Sequence, residues 1–461
     1  MENFLAPPPH REQIPKEQID ARYKRLRWQV FMGIFIGYAA YYLVRKNFSL
    51  AMPYLLELGF DKSQLGFVFA FNATAYGLSK FIMGGVSDRS NARKFMALGL
   101  VLASLATMLA GTAFGISGLV WMALFQFLIG WFGGMGWPPC GRVMTHWFSV
   151  KERGTKMSFW NIAHNVGGGL IGIITGWGVT FALSIGLSSG LSHRLGIFWL
   201  PAGIAIMTAL IIYFLVRDTP QSCGLPSIED YKNDYPPNYS KKTEAVLKTK
   251  DIFFKYVFPN KILWIVAIAN AFVYFVRYGV LDWAPTYLIQ VKDYNIKEMG
   301  LAYSLYEWAA IPGTILCGWV SDKIFKGKRA MTTIIFMAIV MGAIFVYWTN
   351  ADNKLIDSIA LVTIGFLIYG PVMLIGVHAL DLSPKNAAGT SAGLTGFFGY
   401  FFGTSLLANI VMGWMVQSYG WNAGFEMLIT ACLLTIVLMI FTHVHEQRAR
   451  YDYELHDKNR R

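Results

Sequence analysis

Two arginines stand inside stretches that are otherwise apolar. Arg45 and Lys46 interrupt the run from Gly37 to Phe48, and Arg277 interrupts the run from Ala271 to Gly279. The surroundings repeat: Tyr stands three residues before each arginine (Tyr42, Tyr274), Ala six before (Ala39, Ala271) and Pro eight after (Pro53, Pro285). An ionised side chain at the centre of a bilayer costs about 2.5 kcal/mol on insertion scales and more in other treatments. A duplicated cation in such a place calls for an anion. Guanidinium presents a planar fork of N–H donors that matches carboxylate or phosphate oxygens. Two forks on opposite sides of one central cavity, as a pseudo-twofold axis between repeats would place them, suit a tetrahedral phosphate better than a planar carboxylate.

The other ionisable residues in apolar stretches are Lys46, Lys80, His164, Asp282, Glu307 and His378, with Asp381 near a span end. Asp282 and Glu307 are candidate partners for Lys46, and such internal pairs can break and re-form between states, which makes them candidate gates. Lys80 reads as a cavity cation. His378 and Asp381 read as caps at the end of a span. His164 has Trp160 one turn before it on the same helix face, and Gly167-Gly168 after it allows close helix approach. Histidine can donate to phosphate and titrate near physiological pH. Tyr38, Tyr42, Tyr274, Tyr369 and Tyr400 offer hydroxyls near these cations, with Tyr42 and Tyr274 singled out by the repeat.

The elements that must position these residues are membrane helices. Of 461 residues 55% are hydrophobic and 15% charged, and the mean hydropathy is +0.42. This is the makeup of a polytopic membrane protein. The net charge of +13 comes from Lys and Arg clustered in alternate short loops, which the positive-inside rule explains without nucleic acid. Apolar spans are expected at 29–52, 64–86, 96–116, 118–141, 158–185 and 196–216, then at 262–290, 299–320, 331–348, 356–379, 388–417 and 424–444.

That reading is an all-α membrane protein of twelve transmembrane helices in two pseudo-symmetric six-helix bundles. It has an N-terminal segment (1–28), a first bundle (29–216), a linker (217–261), a second bundle (262–444) and a tail (445–461). The basic loops put both termini in the cytoplasm. Residues 1–28 are polar and basic and lack the features of a cleaved signal, so the first span is expected to be retained. A short amphipathic helix on the membrane surface is expected near Asp251 to Lys261, and the rest of the linker reads as a tether. A second match, Gly84-Gly85-Val86-Ser87-Asp88-Arg89 against Gly318-Trp319-Val320-Ser321-Asp322-Lys323, supports duplication, the signature of a transporter whose halves rock about a midplane site. Asp88, Arg89, Asp322 and Lys323 read as a cytoplasmic latch between neighbouring helices. The four cysteines form no metal or disulfide spacing, and no nucleophile and base are paired. Neither an enzyme nor a cofactor is expected.

The segment Arg153-Gly154, then Trp160-Asn161, His164-Asn165 and Gly167-Gly168, resembles the signature of the organophosphate:phosphate antiporters of the major facilitator superfamily. Tyr41 to Phe48, Gly136 to Arg142, Asp218 to Leu225 and Ile368-Tyr369-Gly370-Pro371 are similar to that family as well, so the resemblance covers nearly the whole chain. Leu187 to Leu195 departs from it. The resemblance implies uptake of an organophosphate, glycerol-3-phosphate in particular, against inorganic phosphate across a bacterial inner membrane by a monomer embedded in the lipid bilayer. It implies that Arg45 and Arg277 hold the phosphoryl group, that His164 joins on closure, and that Lys46, Asp282 and Glu307 form mobile ion pairs. It also implies that Tyr38, Tyr42, Lys80, Asn161, Tyr274, Tyr369 and Tyr400 line the cavity. A sugar-phosphate antiporter, a proton-coupled symporter and a membrane sensor of organophosphates are the rival readings.

Overall fold

The computed structural model describes residues 4–88, 90–114, 118–233, 254, 257–351, 353–382, 391 and 393–458. Among them the regular elements are all helices, and the described part of each of the twelve expected spans is mostly helix. Nine helical stretches among the described residues are long and apolar enough to cross a membrane. The other three expected spans are those containing Arg45, Lys80 and Glu307, where polar side chains interrupt the apolar run. The helix expected near residue 251 lies largely outside the described residues. The chain divides into two compact units.

The first unit comprises Met1–Leu58, Phe71–Ala245 and Tyr294–Ser304. Its helices are α1 (Lys16–Leu43), α2 (Asn47–Glu57), α3 (Lys62–Asp88, shared with the second unit), α4 (Ala92–Ala113), α5 (Leu119–Gly133), α6 (Trp137–Trp147), α7 (Val150–Asn161) and α8 (Ala163–Ser184). After α9 (Ser189–His193) comes a wider-wound turn (Arg194–Trp199), then α10 (Leu200–Leu215) and the short α11 (Ile228–Lys232). The helix expected from residue 29 begins earlier, at Lys16, after Pro15.

The first span is not one continuous helix. It breaks at Val44–Lys46, so Arg45 stands in the break. A break frees backbone carbonyls, which in a dry interior must find donors. The Asn47 side-chain amide donates to Leu43 O at 3.0 Å and to Ile197 O at 2.6 Å, and the Thr107 hydroxyl donates to Val44 O at 3.2 Å. The interruption is therefore built into the packing of α1 against α4 and the turn before α10.

At the end of this unit next to the linker, Asp218 ties three elements together. It is buried, accepts Arg142 Nε on Oδ1 and Nη2 on Oδ2, both at 3.1 Å, and caps α4 by accepting the Ala92 N–H at 2.9 Å. The N-terminal segment lies along the start of the linker, with Arg11 N donating to Gln221 O and Ile14 N to Gly224 O, each at 3.0 Å. Tyr23 and Tyr231 stack with centroids 4.0 Å apart. The first third of the linker is thus folded onto the unit, beyond the bare tether read from its composition.

The second unit comprises Gly59–Ala70, Val246–Asp293 and Leu305–Arg461. It contains α12 (Lys261–Gln290), α13 (Ile296–Trp319, shared with the first unit), α14 (Arg329–Thr349), α15 (Lys354–Asp381), a wider-wound segment (Phe398–Val411), α16 (Met412–Tyr419) and α17 (Trp421–Lys458). Unlike α1, α12 runs unbroken through its arginine and through Pro285. Lys292 and Asp357, both buried, pair at 3.0 Å.

Neighbour relations repeat within the two units. In the first, α1 packs on α8 and α10, and α4 on α5 and α10; in the second, α12 packs on Phe398–Val411 and α17, and α14 on α15 and α17. The arginine-bearing helices are approached by glycine in matching places. A Cβ on Gly167 would stand 2.0 Å from Ala39 O, and one on Gly403 would stand 2.4 Å from Ala271 O. Those alanines are the ones six residues before the two arginines, so backbone-to-backbone contact fixes each helix near its cation.

Candidate functional site

In the first unit Arg45 is 6% exposed. Its Nη1 donates to the Tyr42 hydroxyl at 2.9 Å, and its guanidinium carbon lies 3.6 Å from the centroid of the Tyr76 ring. A desolvated cation over an aromatic face is stabilised by about 2 kcal/mol, and the ring does so without removing the positive charge. Tyr42 continues the cluster, its ring 5.6 Å from Tyr38 and 5.7 Å from His164. Tyr38 in turn packs on Trp160 at 4.7 Å, and the Trp160 indole donates to Ile34 O at 3.2 Å, tying α7 to α1.

His164 Nδ1 donates to Asn161 O. A carbonyl only accepts, so a ring carrying its proton on Nδ1 satisfies this contact. Lys80 Nζ lies 5.0 Å from the Trp137 ring, on the α3–α6 side of the unit. Asn161 is exposed at the end of α7, and Lys46 is buried at the start of α2.

In the second unit Arg277 is 5% exposed. Its guanidinium carbon lies 4.0 Å from the Tyr369 ring centroid and 4.6 Å from that of Tyr278. The Tyr369 hydroxyl donates to Glu307 Oε2 at 2.6 Å, and the Tyr306 hydroxyl donates to Arg277 O at 3.2 Å. Tyr274 packs edge-on against Tyr400 at 5.2 Å, and Tyr278 lies 5.9 Å from Tyr274. Asp282 and His378 are buried. At the proposed latch, Asp322 pairs with Arg329, which also donates to Ser321 Oγ at 2.8 Å, while Lys323 is exposed. Arg89 and the side chains of Asp88 and Asp381 lie outside what is described.

Each unit thus gathers one arginine with tyrosines: Arg45 with Tyr42, Tyr38 and His164, and Arg277 with Tyr369, Glu307 and the Tyr274–Tyr400 pair. Three residues were missed from sequence: Tyr76, Tyr278 and Tyr306. The repeat could not reveal Tyr76, because the matching place in the second half is Ala310. The two arginines stand in matching places, yet their closest rings come from different helices, α3 for Arg45 and α15 for Arg277. No metal-holding group of His, Cys, Asp and Glu occurs among the described residues. What the clusters can do is hold an oxyanion by guanidinium and phenol donors.

The major facilitator superfamily model matches residues 34–407. The chain is 55% identical to the glycerol-3-phosphate transporter of Bacillus subtilis (strain 168), covering 98% of this chain and 100% of that protein. It is 50% identical to the glycerol-3-phosphate transporter of Haemophilus influenzae, covering 95% and 96%. Among solved structures, a bacterial homologue of the human lysosomal transporter Spinster, inward-facing and unoccupied, superposes with a TM-score of 0.71 over 91% of this chain and 96% of that one. At 17% identity that likeness speaks for the fold alone. The chain therefore belongs to the major facilitator superfamily and, within it, to the family of the glycerol-3-phosphate transporters.

Proposed function

We propose that this multi-pass bacterial membrane protein imports glycerol-3-phosphate in exchange for inorganic phosphate by alternating access. The observation that carries the reading is that both buried guanidinium groups rest on tyrosine faces, Arg45 on Tyr76 and Arg277 on Tyr369. Such a ring stabilises the cation, and a guanidinium resting on it can still donate to oxyanion oxygens. Buried charge is costly by several kcal/mol per ion, and a bound anion on each crossing lowers that cost, which is the physical case for exchange. The names of the most similar relatives support glycerol-3-phosphate as the organic partner.

On this reading Arg45 and Arg277 hold the phosphoryl group, and His164 joins them as the site closes. Lys80, Asn161 and the hydroxyls of Tyr38, Tyr42, Tyr274, Tyr369 and Tyr400 line the path. Lys46, Asp282 and Glu307 are the gating ion pairs that exchange partners between states. Asp88, Arg89, Asp322 and Lys323 form the latch, with Arg329 as the partner that Asp322 uses. The protein lies in the inner membrane with both termini cytoplasmic and works as a monomer.

The test is uptake of glycerol-3-phosphate into proteoliposomes with and without internal phosphate. Rapid uptake into loaded vesicles and little into empty ones is expected. Equal rates in both would overturn obligatory exchange. A counterflow panel of phosphate esters would then rank glycerol-3-phosphate against hexose phosphates.

A further inference from the structure

One opening among the described residues of the first unit lies away from the arginines. It is a groove of about 620 Å³ on the outer side of α8 and α10, lined by Gly178, Phe181, Trp199, Gly203, Met207 and Ile211 among others. That volume falls within the roughly 300–1,000 Å³ of sites that take small molecules. Its origin lies in the helix geometry. Gly178 and Gly196 bring α8 and the turn before α10 into backbone contact, a Cβ on Gly196 standing 2.4 Å from Val179 N. α8 contacts that turn more extensively than it contacts α10, and the groove lies along the two.

The lining has no ionisable group and little free polarity. The Trp199 indole is committed to Met108 O at 3.2 Å and the Thr208 hydroxyl to Ile204 O at 2.8 Å, so both side chains act as walls. Gly203 is the informative residue. A Cβ there would meet nothing within 4 Å, so no neighbouring helix requires glycine, although glycine in a helix interior costs about 1 kcal/mol relative to alanine. The space in front of Gly203 is what the glycine leaves open. Both flanking stretches, Lys156–Ser184 and Ser189–Leu215, are long and apolar enough to cross the bilayer. The medium at this face is therefore hydrocarbon.

We propose that this groove is a binding site for the acyl chain of a bilayer phospholipid. The occupant is a flexible apolar chain because the lining offers no donor or acceptor for a head group or a peptide backbone. An ordered chain in the groove adds packing against both α8 and α10.

The test uses the full chain in phospholipid vesicles containing a lipid with a photoactivatable diazirine on its acyl chain, with labelled positions read by mass spectrometry. Labelling across Trp199–Ile211 should exceed that on Leu433–Phe441 of α17, another exposed apolar face, by about threefold or more. Gly203→Leu should lower the first to the level of the second, while Gly203→Ala, which fills less of the space, should lower it less. Retained counterflow and a thermal midpoint no lower than that of the parent would show that the variants are folded, and a misfolded leucine variant would leave the alanine variant to decide. Equal labelling of both faces, or labelling of the groove that Gly203→Leu and Gly203→Ala leave unchanged, would overturn the proposal. So would crosslinking of this face to a second copy of the chain.

Discussion

Arg277 and Tyr369 are joined face to cation, the guanidinium carbon 4.0 Å from the ring centroid, while the Tyr369 hydroxyl is held by Glu307 at 2.6 Å. One tyrosine thus contacts a cation with its ring and an acid with its hydroxyl. The two roles can be separated. Tyr369→Phe keeps the ring and loses the bond to Glu307; Tyr369→Ala loses both. With a desolvated cation–π contact worth about 2 kcal/mol, Tyr369→Ala should raise the KM for glycerol-3-phosphate more than about tenfold in phosphate-loaded proteoliposomes. Tyr369→Phe should raise it less, and equal effects would argue that the ring contributes nothing.

Arg45 should respond to geometry as well as charge. Arg45→Lys keeps the charge but loses the planar fork and the fit over Tyr76, so apparent affinity should fall by about tenfold or more, corresponding to a charge-assisted bond worth roughly 1.5–3 kcal/mol. Tyr76→Phe retains the ring and should weaken binding less than Tyr76→Leu, which loses it. An unchanged affinity in Arg45→Lys would remove the case for phosphate recognition there.

Gly167 and Gly403 should tolerate no methyl group. An added Cβ would sit 2.0 Å and 2.4 Å from backbone carbonyl oxygens of Ala39 and Ala271, neither of which can rotate away. Overpacking of this kind costs about 1–3 kcal/mol, so Gly167→Ala and Gly403→Ala should each lower the thermal midpoint of the purified protein and its transport rate. Gly203→Ala, where the space is open, serves as the control that does not lower the midpoint.

Asp218 should be more sensitive than an exposed acid. Removing one partner of a buried pair costs about 3–5 kcal/mol because the other charge is left behind. Arg142→Ala and Asp218→Ala should each destabilise the protein strongly, and the double variant should cost clearly less than the two effects added together. Additive losses, measured by thermal unfolding in detergent, would mean that the pair is not coupled.

Much of the candidate site was legible because charge in an apolar run stands out one residue at a time. Arg45, Arg277, Lys46, Asp282 and Glu307 are visible that way, and the repeat singled out Tyr42 and Tyr274. Tyr76, Tyr278 and Tyr306 were not visible, since a tyrosine in a membrane helix is ordinary and only its neighbour makes it a candidate. The repeat also concealed a difference: it presents the arginines as equivalent, but one stands in a helix break and the other in an unbroken helix.

The sequence alone determined the twelve apolar segments, the duplication and the two cations, because hydropathy, spacing and charge are properties of short stretches read in order. Tertiary structure decided where the first span breaks, because the break depends on Thr107 of α4 and on Ile197 of the turn before α10 to satisfy or receive its polar groups. It also decided which ring lies over each guanidinium. Tyr76 and Tyr369 reach Arg45 and Arg277 from other helices, and the direction of those helices is set by backbone contacts that composition does not record.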